Sequence, residues 1–430
     1  VSTVVVGADG RFTVPVSVAF PVTLTVRAGG FAERRVRLDA APAGGELVVR
    51  LEPASLTEAV TVTASRTLDA VDTAAATSVL TRAALEASPG LMLDDQLKTV
   101  PGFSLFRRSS SRVANPTTQG VTMRGLSASG ASRSLVLVDG VPLNDAFGGW
   151  VYWDRIPQAS LDRIEVVRGG SSELYGANAV IGVIQVLTQT PSRPMVRASA
   201  EFGARHTPRL SAFAGGAGGP WSAFASGEWQ QSDGYLVVGP DDRGPIDTPA
   251  SSRYQSGYAS LGYQGPSWRA LARGSVLAER RENGTPLQAN STASRSVSGE
   301  FSGVAAGGVW LMRAFGGTQG YDQSFTSINA TRTSETLSQR QRVPSSDAGG
   351  SAQFSGTRGT VSWLVGGDLH HTTGDSNERG FTNGVERTFI VTGGDQWAAG
   401  MFARIAARPA DRLTVTAGVR ADRWQSTPHQ

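Results

Sequence analysis

From Val196 onward, apolar and polar side chains alternate one for one in stretch after stretch, and this period of two constrains the fold more than any other feature of the chain. Val196, Ala198, Ala200 and Phe202 share one face of an extended segment, with Arg197, Ser199, Glu201 and Gly203 on the other. Trp221, Ala223, Ala225, Gly227 and Trp229 repeat the device against Ser222, Ser226, Glu228 and Gln230, with Phe224 breaking the polar side. Leu413, Val415, Ala417, Val419 and Ala421 do so again, opposite Arg412, Thr414, Thr416, Arg420 and Asp422. A water-soluble sandwich shows the same alternation but fills its apolar face with Leu, Ile and Phe. Here much of that face is Ala, Gly and ring-terminated, which suits lipid better than an interlocking core. Trp221 and Trp229 stand about 26 Å apart along a strand, roughly 19 Å along a membrane normal at ~45° tilt, close to the spacing of two aromatic girdles. About ten or eleven such strands fit the turn-to-turn period. The polar intervals 233–252, 281–295, 322–350 and 372–395 are expected as long loops on one side, and tight turns such as Gly265-Pro266 as the other side.

Upstream lies a block of different texture, residues 120 to 188. Leu135-Val136-Leu137-Val138 runs into Asp139-Gly140 and then Val141-Pro142-Leu143, which predicts a strand, a tight turn and a second strand. Ile164-Glu165-Val166-Val167-Arg168 stops at Gly169-Gly170, and a third apolar run spans Val183 to Leu187. The charges of Arg124, Glu165 and Arg168 interrupt or end these runs, and a charge so placed needs a partner, because burying it alone costs several kcal/mol. The block reads as a small αβ unit built to meet charged groups outside itself.

Val100-Pro101-Gly102-Phe103, Met123-Arg124-Gly125, Val138-Asp139-Gly140-Val141-Pro142, Ile164-Glu165-Val166-Val167-Arg168-Gly169 and Leu174-Tyr175-Gly176-Ala177-Asn178-Ala179 stand in this order. Together they resemble the signature of a TonB-dependent outer-membrane receptor plug. One departure is Ile181-Gly182-Val183-Ile184-Gln185 where the family usually reads Gly-Gly-Val-Ile-Asn; Ile suits a strand and not a positive φ, so the local turn is expected to differ. The resemblance implies a mainly β fold: an αβ plug domain (69–190) inside a truncated transmembrane antiparallel β-barrel (191–430), the N-terminal half of one with roughly 22 strands. It implies an outer-membrane location in a Gram-negative-type bacterium and active uptake of a scarce ligand: a ferric siderophore or similar metal chelate, cobalamin or a saccharide. The partners implied are TonB with its inner-membrane energy-transducing complex, and outer-membrane lipid. In the family the plug arginines of the Arg-Gly motifs pair with barrel glutamates. Arg124 and Arg168 match those positions, with Glu165 beside them, and their partners are expected on strands beyond Gln430. The alternative is a passive, adhesin-like barrel coupled to nothing.

Ahead of the block, residues 1–52 read as short strands at Val4–Val6, Arg11–Val14, Val22–Val26 and Leu47–Leu51, punctuated by Gly29-Gly30 and Pro42-Ala43-Gly44-Gly45. They resemble the latter part of a small carboxypeptidase-regulatory-like β-sandwich. Residues 53–68 form a linker holding Glu58-Ala59-Val60-Thr61-Val62-Thr63-Ala64, a β-branched alternating segment fit to add to a partner's sheet edge. In content and position it resembles a TonB box. Thr81 is placed as the N-cap of a short helix ended by Pro89-Gly90, and Met92 to Lys98 as a second. The adjacent Asp94 and Asp95 point apart on a helix, so a solvated face is expected rather than chemistry. Phe106, Arg107 and Arg108, with Phe147, Trp150, Tyr152 and Trp153, have the composition of ligand-facing loops: rigid rings with adaptable polar neighbours. The other reading of the rings is packing of the plug against the wall.

The remaining composition mainly excludes. There is no Cys, hence no disulfide, thiolate metal site or thiol nucleophile. The formal charge of +4 rests on Arg, with Lys98 the sole lysine and no dense basic run, so nucleic acid is a poor partner. No P-loop, Gly-x-Ser-x-Gly or His-Glu-x-x-His occurs, and His370-His371 on a strand would point to opposite faces. Neither an enzyme, a cofactor nor a metal site is expected. No apolar run nears the roughly 18–20 residues of a spanning helix, which leaves a barrel open. The start at Val1 suggests an export signal upstream.

Overall fold

In the computed structural model of the chain, the residues described are 12–13, 22–26, 34–42, 47–49, 76–107, 109–123, 129–169, 172–176, 179–305, 307–410 and 413–429. Contacts divide the chain into two units, Val1–Thr61 and Val62–Gln430. In the first, β1 (Val22–Val26) pairs antiparallel with β2 (Arg34–Leu38), with Val22 opposite Leu38 and Val26 opposite Arg34. β1 has the expected bounds. The segment Val4–Val6 and most of Arg11–Val14 lie outside the described residues, and 47–49 is not in a strand. Glu58–Ala64 also lies outside the described residues.

The second unit opens on β3 (Ala76–Thr81) and the short helices α1 (Arg82–Ala87) and α2 (Leu93–Leu97). Thr81 is the cap of α1, its hydroxyl accepting from Ala84 N at 3.3 Å. Then come β4 (Phe103–Leu105), β5 (Val121–Met123), β6 (Leu135–Val138), β7 (Val141–Pro142), β8 (Leu161–Arg168), α3 (Ser172–Tyr175) and β9 (Gly182–Thr188). Five strands form one sheet in the order β3-β8-β9-β6-β7, with β6 and β9 parallel and the other pairs antiparallel. The three apolar runs of the sequence are β6, β8 and β9. They read as continuous apolar stretches because both faces of the sheet are covered. One face packs with Leu85, Leu93 and Leu97 from the helices, and the other buries Leu135, Leu137, Val183 and Ala179 together. Ile181 is buried, and its carbonyl accepts from Gly169 N at 3.0 Å.

Asp94 departs from expectation. It is fully buried, accepting from Arg107 Nη2 at 2.7 Å and Ser111 N at 3.2 Å, while Asp95 takes Lys98 at 2.7 Å and the Ser110 hydroxyl at 2.6 Å. The two carboxylates do diverge, but the 107–111 loop folds over the helix and covers both directions.

The rest is a single antiparallel sheet of eleven strands in sequence order: β10 (Met195–Gly203), β11 (Thr207–Gly218), β12 (Trp221–Tyr235), β13 (Ala250–Gln264), β14 (Trp268–Glu282), β15 (Ala289–Ala305), β16 (Gly308–Ile328), β17 (Glu335–Arg358), β18 (Val361–Thr382), β19 (Val385–Ala410) and β20 (Leu413–His429). Tight turns near Gly219, Pro266, Gly307 and Gly359 mark one end. The connections at the other end run 204–206, 236–249, 283–288, 329–334 and 383–384. The polar intervals at 281–295, 322–350 and 372–395 are therefore mostly strand, not loop; only 233–252 is mostly connection. Polarity on both faces marks where a strand leaves the apolar medium, and the hydrogen-bonded ladder continues beyond that point.

On β12, Trp221, Ala223 and Ala225 are exposed, while Phe224, Ser226, Glu228, Gln230 and Ser232 are buried on the inner side. Phe224 fits that side because it stacks between Phe213, at 5.2 Å, and Tyr258, at 6.0 Å. These three rings join the core formed by Ile156, Leu161 and Ile164, so the αβ unit nests against the inner face of the curved sheet. On the outer face, rings follow one another along the tight-turn end: Trp221–Tyr263 at 4.8 Å, Tyr263–Trp268 at 5.1 Å, Trp268–Phe301 at 5.3 Å and Phe301–Trp310 at 4.6 Å. That is an aromatic girdle.

Candidate functional site

The surface where the αβ unit meets the wall concentrates the charged and polar contacts of the fold, and the Asp139-Gly140 turn is its centre. Asp139 at φ 47° and Gly140 at φ 83° make the tight hairpin turn expected of Asp-Gly. That conformation favours glycine at 140, and it brings the turn against the wall, where a Cβ would lie 2.6 Å from the movable guanidinium carbon of Arg313. The Asp139 carboxylate accepts from the Thr188 hydroxyl at 2.7 Å and Thr188 N at 3.0 Å, which fixes it to β9. It also accepts from Tyr258 Oη at 2.8 Å and lies 3.2 Å from Arg273 Nε, both on the wall. Glu300 then bridges Arg273 at 3.7 Å and Arg313 at 2.9 Å. One acidic side chain thus enters a lattice of charges spread over β13, β14, β15 and β16.

Five more attachments surround it. Gln158 N donates to Glu228 Oε2 at 3.1 Å, and Arg209 (2.9 Å) and Tyr254 (2.5 Å) hold the same carboxylate. Arg281, almost wholly buried, donates to the carbonyls of Ser111 at 2.5 Å and Ala114 at 3.1 Å; it is paired with Glu279 and lies 3.9 Å from Asp154. Burial, with Glu279 beside it, holds the Asp154 carboxyl well above the usual carboxylate range. Gln319 donates to Asp145, and Tyr321 Oη to Asn115 at 3.2 Å. Arg420 reaches the Leu174 carbonyl at the end of α3, at 3.3 Å, while pairing with Asp368 and Asp422.

The residues singled out from sequence fall in several places. Arg124 and Arg108 lie outside the described residues. Arg168 donates to the Pro101 carbonyl at 3.2 Å, and Glu165, fully buried, accepts from Arg163 at 2.9 Å; these contacts are within the αβ unit. Arg107 is committed to the buried Asp94. Tyr152 packs with Met92, Tyr254 and Leu277, and Trp153 meets Phe103 edge-on at 6.3 Å; both are buried, so neither forms a ligand-facing surface in this structure. Trp150 sits 5.7 Å from Tyr321, and Phe147 lies against Gly374 of β18. Phe106 is half exposed. His370 and His371 do take opposite sides, toward Asp347 and Asp395. Sequence reasoning passed over Asp139, Glu228, Arg273 and Arg281. For the three wall residues the available signal was charge at mid-strand on the polar face of a wall whose other face is apolar; for Asp139 it was an acid in the tight turn between two apolar runs.

The comparisons with known proteins agree with this arrangement. The family described as TonB-dependent Receptor Plug Domain matches residues 69–183. Residues 69–183 are a plug domain of the TonB-dependent receptor kind. A vitamin B12 transporter, BtuB, of Vibrio vulnificus is 36% identical over 114 residues, 26% of this chain and 18% of that protein. The BtuB of Vibrio cholerae is 33% identical over 138 residues, 32% of this chain and 21% of that protein. Among solved structures, the ferripyoverdine receptor of Pseudomonas aeruginosa superposes with a TM-score of 0.69 at 14% identity, over 88% of this chain and 56% of that one. The ferric yersiniabactin receptor FyuA of Yersinia pestis gives 0.66 at 17% identity, over 82% and 57%. The chain therefore matches about a fifth of its curated relatives' length and a little over half of those solved chains. The structural likeness places the plug and the eleven strands in the same architecture.

Proposed function

We propose that the receptor imports a scarce ligand across the outer membrane by TonB-dependent active transport, the ligand being a metal chelate, cobalamin or a saccharide. The observation that carries this is the polar character of the plug–wall contacts. Asp139, Gln158, Asp145 and the 111–114 carbonyls meet Tyr258, Arg273, Glu228, Gln319 and Arg281 mainly through hydrogen bonds and charges. Such contacts exchange readily for water, whereas an all-apolar interface exposes its whole area before it regains anything. A stopper that must shift and reseat calls for the first kind. The outer membrane holds no nucleotide pool, so uphill transport there needs energy delivered by contact. Glu58–Ala64 is the segment proposed to pair with TonB as an added strand. Arg124, Glu165 and Arg168 are retained as plug-side charges for the remainder of the barrel, and residues 1–52 as a small β-sandwich ahead of the plug.

The sequence likeness to B12 transporters spans a length similar to the plug's, so it favours no particular ligand. The test uses the full-length receptor in cells limited for candidate ligands. Deleting Glu58–Ala64 is expected to abolish accumulation while leaving binding at the cell surface intact. Uptake that survives the deletion would overturn the pairing of this segment with TonB, and surface binding with no accumulation even before the deletion would assign the protein to the passive, display-type barrels.

A further inference from the structure

We propose that the outer face of the wall carries a binding site for the phosphate groups of outer-leaflet glycolipid, formed by two cross-strand arginine pairs toward its long-connection end. Arg253 on β13 stands directly opposite Arg280 on β14, and Arg340 on β17 directly opposite Arg379 on β18. Like charges in register on neighbouring strands repel, so a fold gains nothing from such pairs by themselves. Strand alternation puts all four on the face that holds Leu261, Val276, Ala352 and Val365, the side turned to lipid, and all four are exposed. All four lie toward the long-connection end; Arg253 and Arg280 stand beyond the last apolar residues of that face on their strands, and Leu337 and Phe381 lie further out than Arg340 and Arg379 on theirs. Together with Arg342 they line one depression of about 1260 Å³.

The acids nearby leave this charge largely uncompensated. Asp322 is 3.9 Å from Arg342 and Glu386 is 3.2 Å from Arg379, with all four side chains at least two-fifths exposed, and pairs of that kind contribute little. Asp233 faces His206 at 2.9 Å, and Glu282 accepts from Ser251. Among the described residues no carboxylate pairs with Arg253 or Arg280. Arg340 and Arg379 rest over the rings of Phe381 (6.0 Å) and Phe389 (5.3 Å), which orients the guanidinium planes without neutralising them. Paired, planar donors suit phosphate oxygens. The occupant is a membrane lipid because the site continues the lipid-facing stripe, so a headgroup at this height reaches it with its acyl chains against Val276 and Leu261.

The test compares the full-length receptor with the Arg253→Gln/Arg280→Gln and Arg340→Gln/Arg379→Gln variants in neutral detergent. Binding of purified outer-membrane glycolipid is titrated, with inorganic phosphate as a separate arm. Affinity for glycolipid is expected to fall roughly fivefold for each arginine removed. Thermal stability in lipid-free detergent should stay level or rise, because a repulsion is relieved. Unchanged glycolipid binding would overturn the site. Inorganic phosphate binding as tightly as the glycolipid would also overturn it, as would a fall in stability in lipid-free detergent, which would mark the arginines as structural.

Discussion

Asp139 does two things that its geometry couples. Its left-handed backbone closes the hairpin, and its carboxylate ties β9 to Tyr258 and Arg273 of the wall. Asn tolerates the same backbone, so Asp139→Asn separates the roles. The turn should survive, and plug seating should weaken by about 2 kcal/mol as Arg273 loses its shorter acid contact. The readout is the urea concentration at which protease reaches the plug of the full-length receptor, with Tyr258→Phe expected to cost about 1 kcal/mol on the same scale. Asp154 gives a prediction in pH. Its carboxyl is raised by burial and by Glu279, so the seated plug binds a proton that the released plug gives up near the ordinary carboxylate range. With more protons bound in the native state, stability falls as pH rises from about 4 toward the raised value. Thermal unfolding from pH 5 to 8 should show this slope, and Asp154→Asn should flatten it.

At the scale of elements, the sequence was most legible where one environment covers a whole segment. β6, β8 and β9 are unbroken apolar runs because helices, loops and wall enclose the plug sheet on both sides, and their ends are fixed by Asp139-Gly140 and Gly169. The wall strands were legible through their outer face, which lipid keeps uniform. The inner face resisted reading because each of its residues answers to a particular plug atom: Glu228 to the Gln158 amide, Arg281 to the carbonyls of Ser111 and Ala114. The long extensions of β16 to β19 were missed for a related reason, since strand ladder and apolar band end at different heights. Phe224 marks the boundary of what pattern alone conveys. It violates the alternation because it stacks on Phe213 and Tyr258 beneath the plug. Phe224→Ala should therefore cost about 3–5 kcal/mol as a core truncation, measured by denaturant unfolding.

Across the whole molecule, two solvents set the design, and they are separated by one thickness of sheet. Facing inward, the wall meets the plug through charges that lattice and release. Facing outward, it shows Ala, Gly, Val and aromatic rings over a band bounded by the girdle at the tight turns and by the arginine pairs at the far end. If that band is what lipid contacts, the cost of a single charge must depend on height and not on exposure, since residues at both heights are exposed. Ala225 lies mid-band on β12 between Ala214 and Ala259, with no acid in register. Ala225→Arg should destabilise the receptor in lipid bilayers by about 2–4 kcal/mol, whereas Ala289→Arg, beyond the band on the same face, should cost at most about 1 kcal/mol. The folded fraction in bilayers, read from heat-dependent gel mobility, distinguishes the two. Equal cost at both positions would mean that water, not lipid, covers the outer face.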